Sequence, residues 1–251
     1  MDAALDSTIR RLIAISGRLI ENEAVSDEIQ LSGGAMTEGV VRVGNTVRRP
    51  PRETSQLMRD VLVHLERAGF EAAPRWLGLD EQGRDVLSWI EGDTFVERGQ
   101  MHPYIGDPPE RVTFTNSQIE AAMGLLRRYH DTFGDDVICH GDFGPWNIVW
   151  QKGSPLAVID FDNVYPGDPG DDVAYALRMF IGYGFARAAP AELVQRTQTA
   201  LRAYGADFDV PAILAREYDF AEQRCRRNGW HLQLAKLPTE RAWLTANRVL
   251  F

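Results

Sequence analysis

Lysine is nearly missing from this chain. Of the 27 basic residues among 251, only Lys152 and Lys236 are lysine, and the other 25 are arginine. Acidic residues number 36, so the net charge is −9. That balance argues against broad nucleic-acid binding through phosphates, which needs a net positive face. An acidic surface suits a cationic small molecule, and it equally serves plain solubility. Cysteine is scarce too: Cys139 and Cys225 lie far apart and match no metal-ligand spacing. A chain of this length buries roughly 70–75% of its unfolded surface and needs no disulfide or metal staple. No apolar run approaches the roughly 20 residues of a membrane span. The start, MDAALDSTIRRLIAISG, lacks the basic opening and unbroken apolar stretch of a signal peptide. A cytoplasmic protein is expected, with no nucleic-acid or membrane partner. Internal repeats and low-complexity tracts are absent as well.

What is there divides into two halves. Apolar residues on one face predict a helix near 6–20. Val41 and Val43 alternate with Arg42, Gly44-Asn45 is a turn signal, and Pro50-Pro51 stops the second strand of the hairpin. A stripe of Leu57, Met58, Val61, Leu62 and Leu65 predicts a helix over 53–68, with Gly69 after it. Strands follow at 76–79 and 86–90, then a Pro- and Gly-rich connector over 91–116. In the second half, Ser117 and Glu120 read as a capping box for a helix reaching His130. Short apolar runs at 137–139, 148–150 and 157–159 are separated by polar turns. Helical patterns then occupy 171–182, 190–204, 211–228 and 239–249.

The informative stretch is Cys139-His140-Gly141-Asp142-Phe143-Gly144-Pro145-Trp146-Asn147, with Val158-Ile159-Asp160-Phe161-Asp162 after it. Two antiparallel strands joined by a tight turn would bring the Asn147 carboxamide beside the strand-end Asp160 carboxylate. Such hard oxygen ligands suit Mg²⁺ held jointly with substrate phosphates. Asp142 lies outside that pair and could take a hydroxyl proton. Taken singly, each residue is an ordinary turn former; taken as a set, they point to chemistry.

The segment His140–Asn147 resembles the HGDxxxxN catalytic loop of the aminoglycoside phosphotransferase family, small-molecule kinases with the protein-kinase fold. Asp160 resembles that family's strand-end metal aspartate. The resemblance implies an α+β chain of two lobes: a small antiparallel-sheet N-lobe over 1–92 and a larger, mostly helical C-lobe over 93–251. It implies Asp142 as catalytic base, His140 as the residue orienting the loop, Asn147 and Asp160 as Mg²⁺ ligands, and ATP or GTP as phosphoryl donor. Gly141 stands where protein kinases carry arginine, which argues against a protein substrate. Asp172 is implied to cap the next helix and brace the catalytic loop.

The resemblance is thinner elsewhere. Leu31–Ala35 sits where a phosphate-covering loop belongs, and Ser32, Gly33 and Gly34 supply backbone N–H donors; the same residues also make a plain turn. Asp85–Gly92 resembles the strand that holds the nucleotide base, through Ser88 C=O and Ile90 N–H. The family's hairpin lysine has no counterpart. Arg48 is the best substitute and Arg49 the next, although arginine and lysine are not interchangeable. The partner glutamate is also displaced: Met58 occupies its register, and Glu53 is the available stand-in. On the acceptor side the candidates are Asp162, Asp171, Glu217, Asp219 and Glu222, with Trp230 and Trp243 as walls.

The chain reads as a kinase moving the γ-phosphoryl group to a hydroxyl of a small acceptor, for which a cationic molecule such as an aminoglycoside is one candidate. A non-catalytic nucleotide- or ligand-binding relative of the same fold is the rival, motivated by the missing lysine and glutamate. A metal-dependent phosphohydrolase is weaker, because it needs more His and Asp ligands than the motif offers.

Overall fold

A computed structural model describes residues 28–31, 39–94, 114–184 and 188–251. The helix expected near 6–20, most of the 91–116 connector, and Ser32, Gly33 and Gly34 lie outside the described residues. The chain is mixed α+β.

A five-stranded antiparallel sheet carries strands β1 (Ile29–Gln30), β2 (Val41–Val43), β3 (Thr46–Arg49), β4 (Trp76–Leu79) and β5 (Asp85–Ser88), in the order β1-β2-β3-β5-β4. Gly44, at φ 58°, makes the expected turn between β2 and β3. β5 ends at Ser88, two residues earlier than its apolar pattern suggests, because its partner β3 begins at Thr46; Trp89 N–H makes one more bond in register, to the carbonyl of Asn45 in the turn. Helix α1 (Ser55–Arg67) buries Met58, Val61, Leu62 and Leu65 against this sheet and the second half of the chain. Each such side chain contributes roughly 2–3 kcal/mol on leaving water.

Helix α2 (Asn116–Asp131) begins with a capping box two residues ahead of the one expected. Thr115, extended at ψ 160°, accepts from Gln118 N–H, and the Gln118 side chain returns to Thr115 N–H. Glutamine closes such a box as well as glutamate does, so Ser117 and Glu120 fall inside the helix. Two short antiparallel pairs follow. β6 (Ile138–Cys139) pairs with β9 (Tyr165–Pro166), and β7 (Ile148–Gln151) pairs with β8 (Ser154–Val158).

Helices α3 (Pro169–Ile181), α4 (Pro190–Tyr204), α5 (Val210–Asn228) and α6 (His231–Asn247) complete the chain. Asp168, not Asp172, caps α3, accepting from Gly170 N–H ahead of a proline in the first turn. The last helix starts eight residues before its expected beginning and carries Pro238 inside it. Proline marks a helix start in sequence, yet packing against α5 sustains this helix through the lost hydrogen bond. One apolar core runs from Met58, Leu62 and Leu87 through Leu126, Tyr129 and Phe161 to Leu214 and Leu237. The loops between β6, β7 and β8 are therefore seated on packed ground on both sides.

Candidate active site

The hairpin brings Asn147 and Asp160 to adjoining backbone positions at one end of its ladder. Ile148 pairs with Val158, and the Asn147 carbonyl accepts from Ile159 N–H at 2.9 Å, so Asp160 is the next residue beyond the ladder. Asp160 adopts a left-handed conformation (φ 65°, ψ 66°), uncommon for a non-glycine residue. Such strain, of order 1 kcal/mol, persists where surrounding structure imposes it, often at functional sites. Burial and the neighbouring Asp162 push the Asp160 carboxyl above its ordinary value, while Arg49 and Arg52 oppose them.

Asp142 is held at both carboxylate oxygens. Asn147 Nδ2 donates to Oδ2 at 2.8 Å and to the Asp142 carbonyl at 2.9 Å, and the Tyr175 hydroxyl donates to Oδ1. With its amide committed to Asp142, Asn147 keeps its carbonyl oxygen as an acceptor for a cation. Burial pushes Asp142 up to about 6; Tyr175 opposes this, Asp160 adds to it, and Arg224 and Asn147 oppose it.

His140 is fully buried. Its Nδ1 accepts from Asp142 N–H at 3.3 Å and its Nε2 faces the Ile159 carbonyl at 3.1 Å, which assigns a neutral ring with the proton on Nε2. Burial keeps its pKa below the usual histidine range. It therefore links the catalytic loop to the end of β8. Asp172 braces the same loop from α3, accepting from His140 N–H at 2.6 Å and Gly141 N–H at 2.8 Å. It also faces His130 Nε2 at 3.0 Å. Burial alone would raise the Asp172 carboxyl, and these bonds reverse that to a net lowering. Glycine at 141 has its own reason: at φ 74°, a Cβ there would lie 2.2 Å from the Asn163 carbonyl oxygen.

The two hairpin arginines part company. Alternation along β3 puts them on opposite faces of the sheet. Arg49 is buried, its Nη2 donating to Asp162 and its Nη1 lying 3.7 Å from Asp160. Arg48 has a buried Nη1 with no hydrogen-bond partner among the described residues, and its charge acts on Glu28. The structure thus brings Arg49, and not the preferred Arg48, to the aspartates. Glu53 is exposed ahead of α1 and Met58 is buried in the core, so neither supplies the arginine's partner.

The expected acceptor carboxylates are already paired. Asp162 accepts from Arg49 and, at 2.8 Å, from Arg52. Glu217 accepts from Arg178 at 3.0 Å and Arg224 at 2.9 Å, inside a buried cluster that includes Glu240. Asp219 and Glu222 bond Arg241, which ties α5 to α6, and Asp171 pairs with Arg216 at 2.6 Å. Trp243 stacks on Tyr183 within the helical packing, and Trp230 precedes α6. Ser88 is engaged with Arg75 through its N–H and hydroxyl, and Ile90 is half-buried on the stretch beyond β5.

Two site residues escaped the sequence reading, Tyr175 and Arg224. Tyr175 packs with Trp146 and Met179 beside the main core. The Arg224 guanidinium lies over the Tyr175 ring, 5.0 Å from its centroid. Tyr175 follows Asp172 by three residues, hence on the same helical face, and that spacing was the available signal. Arg224 lies far away in sequence and left none.

The profile of the phosphotransferase enzyme family matches residues 114–214, which include Asp142, Asn147, Asp160 and Asp172 but not Arg49 or Arg224. The trifolitoxin immunity protein of Rhizobium leguminosarum bv. trifolii is 36% identical over 154 residues, 57% of this chain and 58% of that protein. The match thus spans little more than half the length of that curated relative. Among solved structures, the streptomycin–ATP complex of APH(2")-IIa aligns over 100% of this chain and 98% of its own, with a TM-score of 0.51 and 12% identity. The macrolide 2'-phosphotransferase MphH of Brachybacterium faecium aligns over the same shares, with a TM-score of 0.52 and 15% identity. No described helix is long and apolar enough to cross a membrane. The segment that carries the site thus matches the phosphotransferase enzyme family, and the described chain has the protein-kinase-like fold of aminoglycoside and macrolide phosphotransferases.

Proposed function

We propose that this protein transfers the γ-phosphoryl group of ATP or GTP to a hydroxyl of a small molecule. The observation that carries the reading is the convergence of Asp142, Asn147 and Asp160 at one end of the β7–β8 hairpin. Asp142 accepts the hydroxyl proton as the acceptor attacks. Its ionisation near 6 leaves it a base at neutral pH. Tyr175 and Asn147 hold the carboxylate plane, and positioning of this kind supplies much of the catalysis in phosphoryl transfer.

Asn147 and Asp160 fit Mg²⁺. They offer a carboxamide oxygen and a carboxylate, both hard donors, at adjoining positions of one hairpin. Among the described residues no group of three or more His, Cys, Asp or Glu side chains is placed to hold a metal ion, so nucleotide phosphates would have to complete the coordination. When bound, Mg²⁺ neutralises charge on those phosphates. Arg49 is the basic residue on the sheet side of this group. Residues 1–92 would hold the nucleotide, its base against Ser88 and Ile90, and residues 93–251 the acceptor.

The acceptor is less confined by charge than the composition suggests, since Asp162, Glu217, Asp219 and Glu222 are each bonded by arginine. The relative named for immunity to trifolitoxin favours a toxin as the molecule acted upon. It also motivates a second reading, in which the chain binds its target without phosphorylating it. Incubating the protein with MgATP and candidate toxins and antibiotics separates the two. Phosphorylated product that disappears with Asp142→Ala supports the enzyme. Binding of a target with no phosphoryl transfer under any nucleotide supports the second reading.

A further inference from the structure

We infer that Asp162 replaces the missing helix glutamate, anchoring Arg49 as the phosphate-binding cation of the sheet. This rests on the phosphotransferase reading above. In kinases of this fold, a strand lysine reaches the nucleotide phosphates while a glutamate on the following helix holds it in place. Here that strand carries arginine, the helix has buried Met58 at the glutamate's register, its buried Asp60 accepts from Gln56 at 2.9 Å, and Glu66 and, ahead of the helix, Glu53 are exposed.

The substitution has a geometric logic. An ammonium can be held by a carboxylate from one side and still present its charge to phosphate. A guanidinium is longer and planar, and it presents two edges. Arg49 spends Nη2 on Asp162, while Nη1 stands 3.7 Å from Asp160, beyond hydrogen-bond range and on the side where metal and phosphate would lie. The anchor has accordingly moved from the helix to the loop after β8, two residues beyond Asp160. Arg52 reinforces it by donating to the same Asp162 oxygen at 2.8 Å. Arg49 and Asp162 are both almost fully buried, so the pair is fixed before nucleotide arrives. The phosphate cation and the metal aspartate then sit on one rigid unit that spans the sheet and the catalytic loops. The position of α1 does not decide whether the cation is in place.

The test is calorimetric titration of the full-length protein with MgATP, MgADP and adenosine. Arg49→Ala and the near-isosteric Asp162→Asn each weaken MgATP and MgADP about tenfold or more, the loss expected for a charged hydrogen bond. Affinity for adenosine stays unchanged, an outcome a collapsed site would not produce. Arg49→Lys, which retains the charge, recovers part of the affinity. Wild-type affinity for MgATP in Asp162→Asn overturns the anchoring role. A loss seen in Arg48→Ala but not in Arg49→Ala assigns the cation to Arg48 and overturns the inference as a whole. Wild-type protein that binds neither MgATP nor MgGTP overturns the phosphotransferase reading itself. A wild type that binds, beside an Arg49→Ala variant that binds equally well, overturns this inference alone.

Discussion

The hydroxyl of Tyr175 donates to Oδ1 of Asp142, so a residue of helix α3 holds the carboxylate that the catalytic loop presents. The tyrosine ring is itself fixed, with Trp146 edge-on at 6.4 Å and the Arg224 guanidinium over its face. Tyr175→Phe keeps that packing and removes only the hydroxyl. The expected result is a kcat about tenfold lower, the scale of one charge-assisted hydrogen bond, with KM for nucleotide unchanged. Steady-state kinetics with a confirmed acceptor checks it; an unaltered kcat counts against the positioning role.

Gly141→Ala should disable the loop. The residue sits at φ 74°, and a methyl group would meet the Asn163 carbonyl oxygen at 2.2 Å. Left-handed backbone costs a non-glycine residue roughly 1–2 kcal/mol before any clash. A loss above about 2 kcal/mol in urea unfolding is expected, together with loss of phosphoryl transfer.

Glu217→Ala should fail as a stability change and not as an acceptor-binding change. Glu217 is buried between Arg178 and Arg224, and its removal takes the carboxylate from Arg224 and leaves Arg178 with Glu240 alone. Breaking a buried ion pair on one side costs about 3–5 kcal/mol. Denaturant unfolding should show that loss. A variant of wild-type stability whose KM rises for acceptor alone would restore Glu217 as a ligand.

His140 gives a pH dependence of defined sign. Burial holds its folded pKa below the usual value, whereas the unfolded chain takes up the proton near ~6.5. The folded state therefore loses stability as pH falls from about 6.5 toward the lowered folded value. The acids Asp142, Asp160 and Glu217, all raised, work in the opposite direction. A difference measurement isolates the histidine: the stability advantage of wild type over His140→Gln should shrink between pH 7 and pH 5. Thermal melts at both values test this, and a constant difference would exclude a neutral buried ring.

Much of the layout was legible because it rests on local pattern. The β2–β3 hairpin announced itself through Gly44-Asn45 and Pro50-Pro51, and α1 through its apolar stripe. The errors came where one local signal competed with another. Thr115 with Gln118 outbid Ser117 with Glu120 as a cap, and the last helix begins at His231, not near 239, because packing against α5 carries it through Pro238.

At the site the division follows distance along the chain. By itself, the sequence determined the hairpin that unites Asn147 and Asp160, the Asp142 between its flanking strands, and the glycine at 141. These are residues within about twenty positions of one another, where backbone geometry leaves few arrangements. Tertiary structure alone decided that Arg49 and not Arg48 faces the aspartates, because the face of β3 toward the C-terminal half depends on how the whole sheet packs. It likewise decided that Asp162 and Glu217 are consumed by arginines from remote elements. An arginine-rich chain permits many such pairings by composition. Burial selects among them, since a carboxylate taken out of water must find a partner wherever the fold puts it.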